Sequence, residues 1–197
     1  SSLADLGTLA TALAADPAQF SNATGLTTIA VSDSTVDATT LAARIDSYDT
    51  INGDGATTGM TLASEALIQV DAGEVAHMLA DETGGRLTIS DQLIVVTNAI
   101  TVDTANDLAA TTTGKITATI DPTETVGELA TLSADGGTNE LTITIRAEDA
   151  TAATAGQLNT INAATATAVN LTNVTALAAS SLADLGTLAT ALAADPA

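Results

Sequence analysis

The chain has 197 residues and a formal net charge of −20, from 24 acidic residues against four basic ones: Arg44, Arg86, Lys115 and Arg146. So few cations exclude a nucleic-acid surface, which needs clustered Lys and Arg, and speak against anionic membranes. Hydrophobic residues make up 46% but aromatics only 1%, and Cys is absent. Disulfides within this segment are therefore excluded, and the composition suits thin layers of Ala, Val, Leu and Ile.

The chain opens on SSLADLGTLATALAADPA, and residues 180–197 repeat these letters without a change, 179 positions on. Leu3, Leu6, Leu9 and Leu13 stand at helical spacing, as do Leu182, Leu185, Leu188 and Leu192. Each set predicts one apolar helical stripe that buries against a neighbouring unit. The organisation expected is a helix ending a preceding repeat over 1–18, the body of the repeat over 19–179, and the start of the next repeat over 180–197. This is the pattern of a window cut from a longer tandem array.

Through the body, β-like runs rich in Thr, Ile and Val stand at 27–31, 86–89, 93–96, 100–102, 115–120, 141–145 and 166–171. Junctions of one form lead from strand to helix: Val36-Asp37-Ala38, Val70-Asp71-Ala72, Val102-Asp103-Thr104 and Ile120-Asp121-Pro122. Asp at such a junction predicts an N-cap, and Pro122 predicts a first helical position. Apolar residues follow at helical spacing: Leu41 and Ile45, then Val75, Met78 and Leu79, then Val126 and Leu129. Turns are expected at Gly53-Asp54-Gly55, Gly84-Gly85 and Gly136-Gly137. Residues 86–102, with two β-like runs and no helix between, predict a hairpin.

About six strand–helix units of roughly 30 residues each fill the period, as in solenoid repeats. The fold class expected is α/β, with parallel strands and helical crossovers in a solenoid-like stack. A compact α/β domain repeated as beads in a fibre is the alternative.

The Val-Asp-Ala/Thr junctions, the Ala/Thr/Asp-rich segments and the near-absence of Lys and aromatics resemble the very large tandem-repeat surface proteins of cyanobacteria and other aquatic bacteria. The resemblance is one of style and covers most of the window. It implies an extracellular or cell-surface, non-enzymatic structural role, with neighbouring repeats or subunits of a fibre as partners.

Three sets of residues invite a chemical reading. Asp49, Asn52 and Asp54 surround a Gly-rich turn and could supply oxygens to calcium, although Thr50 stands where the full loop wants Asp and no closing Glu follows. A calcium-dependent adhesin is therefore the second reading, and calcium the one cofactor entertained. Glu74 and His77 have the i, i+3 spacing of a carboxylate–histidine metal pair, but His77 is the only His, and a surface pair beside acids explains it. Asn22, Asn170 and Asn173 each begin an Asn-x-Thr sequon, so glycans are plausible on an exposed fibre. Nucleophile, phosphate-loop and dinucleotide patterns do not occur, which argues against an enzyme. No stretch approaches the length of a membrane span.

Overall fold

The computed structural model describes residues 1–15, 28–52, 59–133 and 138–194. The fold is mixed α/β, with parallel strand pairing and seven α-helices among the described residues. The chain divides into two compact units, Ser1–Val95 with Thr111–Gly114, and Val96–Ala110 with Lys115–Ala197.

The first unit repeats one module: strand, bend, strand, helix. After α1 (Leu3–Ala15) come β1 (Thr28–Ala30), β2 (Thr35–Asp37) and α2 (Ala38–Asn52). Next are β3 (Gly59–Thr61), β4 (Leu67–Asp71) and α3 (Val75–Thr83), then β5 (Leu87–Thr88) and the start of β6 (Leu93–Ile100). The opening strands form a parallel sheet, in which Thr28 faces Gly59, 31 residues on, and Met60 faces Leu87, 27 on. The second strands pair likewise, Thr35 facing Leu67, and Leu93 N donates to Ala66 O at 3.0 Å. Residues alternate across these short strands, so Ile29, Val36, Met60, Ile68 and Val70 point into the core.

The hairpin expected over 86–102 does not form. β5 and β6 belong to different sheets, because the chain bends through Ser90–Gln92 rather than reversing. β6 also continues to Ile100, and Val102 already opens a helix, so the run at 100–102 is no separate strand.

The second unit holds the end of β6, α4 (Val102–Thr111), β7 (Ile116–Ile120), α5 (Val126–Leu129) and β8 (Glu140–Thr142). A 3₁₀ turn at Ala147–Asp149, α6 (Ala155–Ala163) and α7 (Leu182–Ala194) complete it. β7 and β8 are parallel, Thr117 facing Glu140, 23 residues on. Of the strand expected over 166–171 only a parallel bridge remains, between Asn170 and Thr144.

Helix starts follow local chemistry more varied than a single Asp rule. Asp37 does cap α2, its Oδ1 accepting Thr40 N at 2.9 Å. Asp71 instead closes a turn, accepting Gly73 N, and α3 begins four residues later at Val75. Asp103 lies inside α4, whose cap is Thr101, accepting Thr104 N at 3.2 Å. Asp121 accepts the amide and hydroxyl of Thr123, so Asp121-Pro122 forms a turn. The helix waits for the Thr125/Glu128 capping box at Val126. In the displaced cases the Asp or a neighbouring Thr makes a local turn or cap of its own, at Asp71, Thr101, Asp121 and Thr125.

Buried polar side chains tie each module to the one before. Gln92 Nε2 donates to Ala63 O at 3.0 Å, and Thr112 Oγ1 donates to Gln92 O at 2.8 Å. Asn139 Oδ1 accepts Ile116 N at 2.7 Å, and Thr165 Oγ1 accepts Leu141 N at 2.8 Å. Each continues the strand ladder where the backbone alone runs out, so none is buried without a partner. Gly114 follows Thr112 because a Cβ there would fall 2.2 Å from Gln92 O.

Ile68 is fully buried whereas Leu182 is 88% exposed. Ile68→Ala should therefore cost about 2–5 kcal/mol in urea unfolding, and Leu182→Ala should stay within about 0.5 kcal/mol. Equal effects would mean that the core is misplaced.

Candidate functional site

The first turn of a helix leaves four amides without intrahelical acceptors. Here the first amide of a helix is repeatedly met by a side chain from the following module. Leu3 N, opening α1, donates to Asp33 Oδ2 at 2.6 Å. Val102 N, opening α4, donates to Glu124 Oε1 at 3.1 Å. Val126 N, opening α5, donates to Asp149 Oδ2 at 2.8 Å. Ala155 N, opening α6, donates to Ser180 Oγ at 2.9 Å. The acceptor lies 22 to 30 residues downstream in all four. Three of the four are carboxylates at the positive end of a helix dipole.

The four cations serve the same joints. Arg44 on α2 lays its guanidinium over Gly7 of α1, where a Cβ would come within 2.6 Å of it. Arg86, after α3, pairs with the buried Asp81 of α3 and lies 3.6 Å from Asp46 of α2. Lys115 Nζ, beside β7, reaches Glu140 Oε1 of β8 at 2.8 Å. Arg146 holds Asp149 at 2.9 Å and reaches back to Thr123 O at 3.0 Å.

The two identical helices differ in which side they bury. On α1, Leu3, Leu6 and Leu13 are 4–7% exposed and Leu9 is 39% exposed. On α7 the order reverses: Leu188 is 7% exposed, while Leu182, Leu185 and Leu192 are 88%, 36% and 54% exposed. α1 packs on α2, the helix that follows it, and α7 packs on α6, the helix that precedes it. The buried side of α1 also holds Gly7 and Ala10. There Tyr48 of α2 donates its buried hydroxyl to Leu6 O at 3.0 Å. Burial raises the Tyr48 pKa, with Arg44 pulling it the other way, so the phenol remains a donor at neutral pH. The α7 joint uses Asp184, half-buried against Gly156, with Asn159 Nδ2 donating to Asp184 O at 3.0 Å. An apolar groove bounded by Leu158, Val169, Leu171, Leu188 and Leu192 runs beside it.

The four leucines therefore do not form one stripe in either copy. Steps of three residues drift by about 60° at 3.6 residues per turn, which carries the third leucine away from the first. The helix has two packing sides, and each copy covers one.

The remaining sequence candidates fall as follows. Asp54 and the side chains of Asp49 and Asn52 lie outside the described residues, as does Asn22. Among the described residues no cluster of three or more His, Asp or Glu could hold a metal ion. His77 is exposed on α3, and Glu74 is the residue preceding that helix, with no side-chain cap bond. Asn170 is exposed, its Oδ1 accepting the amide and hydroxyl of Thr172. Asn173 is half-buried and donates Nδ2 to Ile145 O at 2.8 Å, so its amide serves a module joint. No described helix is long and apolar enough to cross a membrane. Comparison with known protein families, curated proteins and solved structures gives no match.

Sequence reasoning missed Asp33, Glu124, Asp149 and Ser180, since a cap supplied from another module leaves no short-range pattern.

Several exposed carboxylates are held below their ordinary pKa. For Glu140 the cause is the Lys115 hydrogen bond and then the Lys115 charge. For Glu128 it is the Thr125 amide and then its hydroxyl, as the capping box requires. A carboxyl depressed by folding contributes stability above its unfolded pKa and loses that contribution as pH falls through the folded value. Glu128→Gln and Glu140→Gln should therefore lower the urea midpoint at pH 7. The difference from wild type should close on acidification below the ordinary value of 4.5. A difference that persists once these carboxyls are protonated in wild type as well would show that the contacts are not ionic.

Proposed function

We propose that this chain is a structural repeat of an extracellular filament or giant cell-surface protein, non-enzymatic, built as a solenoid-like stack of strand–helix modules. The observation that carries the reading is the pair of identical helices with different sides buried. One sequence copied at both ends, packed forward at one and backward at the other, is what an array needs at its seam.

The internal register supports the same reading. Parallel pairs recur at 31, 27 and 23 residues, and every cation ties one module to its neighbour. Stacked modules bury continuous core only when neighbours are present, so an array gains by extension. The charge of −20 keeps a long polymer soluble. The extracellular placement rests on the resemblance to giant bacterial surface proteins and on this acidic composition.

The test is the mass of the native polypeptide after full denaturation. The expected result is a mass many times the 19.3 kDa of this segment. A mass near one period would overturn the covalent array.

A further inference from the structure

We propose that α7 is the docking face for a second copy of this sequence. That copy seats its residues 28–48 on α7 as residues 28–48 seat on α1 here. One helix then ends one copy and begins the next. The inference deepens the reading of the chain as one period of an array, and it specifies the joint.

The occupant is fixed by the molecule itself. α1 has the same thirteen residues as α7 and already carries it. Position by position, the side covered on α1 is open on α7. Leu3, Leu6, Gly7, Ala10 and Leu13 are buried, and their counterparts Leu182, Leu185, Gly186, Ala189 and Leu192 are exposed. Over Gly7 lies Arg44, whereas a Cβ on Gly186 would meet nothing within 4 Å. Leu6 O accepts the Tyr48 hydroxyl and Leu3 N donates to Asp33. Their counterparts Leu185 O and Leu182 N begin the same surface on α7.

The reverse comparison closes the argument. The side of α7 that faces α6 consists of Asp184, Leu188 and Ala191, and the matching Asp5, Leu9 and Ala12 of α1 are exposed. The two buried sides share no position. A single helix can therefore hold α6 on one side and the next copy's α2 on the other without conflict. The second copy brings Asp33 to the first amide, Arg44 to the glycine and Tyr48 to the carbonyl. A cation also arrives at a helix whose own charged residue is Asp184, in a chain of net charge −20.

The geometry sets a further condition. The slot on α2 takes one helix, and in this chain α1 fills it. A second copy can seat on α7 only if α7 replaces its α1. In a chain of two consecutive periods residues 180–194 fill the slot directly.

The experiment compares residues 1–197 with a two-period chain, residues 1–197 followed by residues 19–197. Amide hydrogen exchange is followed by mass spectrometry over 182–194. In the two-period chain these amides should exchange at least about tenfold more slowly, because opening them must break the new joint. Gly186→Gln should leave the one-period chain's melting unchanged or raised. In the two-period chain it should remove the added protection, since the second period's Arg44 must occupy that space. Equal exchange in the two chains would overturn the docking face, even if the native polypeptide proves to be long. A short native polypeptide would sink the array reading while leaving this joint measurable.

A second measurement needs only the one-period chain. Leu6→Asp loosens its own α1, and sedimentation should then show head-to-tail association that Leu185→Asp abolishes. Monomers in both variants would overturn the proposal.

Discussion

A helix begins with amides that its own backbone cannot satisfy, and much of this fold follows from where their acceptors come from. A local cap makes a helix self-sufficient. A cap supplied by the next module makes each helix depend on its successor. Asp33, Glu124, Asp149 and Ser180 all act in the second way. Local caps are present as well, at Asp37, Thr101, Thr125 and Thr154. At α4, α5 and α6 the two kinds work together, the local Thr taking a later amide and the downstream group taking the first. These downstream acceptors satisfy helix amides that the helix itself cannot, although Arg44 Nε and Asn159 Oδ1 are buried at the joints without a partner among the described residues.

Charge economy follows from this arrangement. With 24 acids and four bases, random ion pairing would leave the cations scattered over the surface. Instead Arg44, Arg86, Lys115 and Arg146 each link neighbouring modules, and two of them engage buried or nearly buried acids, Asp81 and Asp149. Surface pairs alone contribute little. The Arg146 pair differs because Asp149 also accepts a helix amide, so removing either partner disturbs a buried hydrogen bond. The uncompensated acids are left outside, where their mutual repulsion favours solubility.

Much of this was legible in the sequence, and the failures have physical causes. Period-2 alternation located β7 because it is a ladder with Ile116, Ala118 and Ile120 on its buried side, whereas β4 was marked only by the junction at its end, Val70-Asp71-Ala72. The module length of about 30 residues was readable from recurring Thr/Ile/Val runs. The bend between β5 and β6 was not, since Ser90–Gln92 turns by using the Gln92 side chain as an acceptor for Ser90 N, a contact with no turn signature. Asp121-Pro122 looked like a helix start because Asp capping and Asx turns use the same residue type. The joints were least legible of all. Arg44, Tyr48 and Asp33 look ordinary in sequence, and only the fold brings them onto one helix.

The repeated helix itself shows why its copies read as one stripe. LADLGTLATALAA is apolar nearly all round, with Gly, Ala and Thr between the leucines. An amphipathic surface helix has one wide polar side, and a helix covered on two sides does not. Small residues at Gly7 and Ala10 let Arg44 and the following helix approach closely, while Leu9, at the edge of that side, stands out and its copy Leu188 is buried. The same thirteen residues therefore hold two distinct packing solutions, one realised on α1 and the other on α7. Under the joint proposed above, the apolar surface exposed on α7 is the side that a second copy would cover, as α2 covers its counterpart on α1.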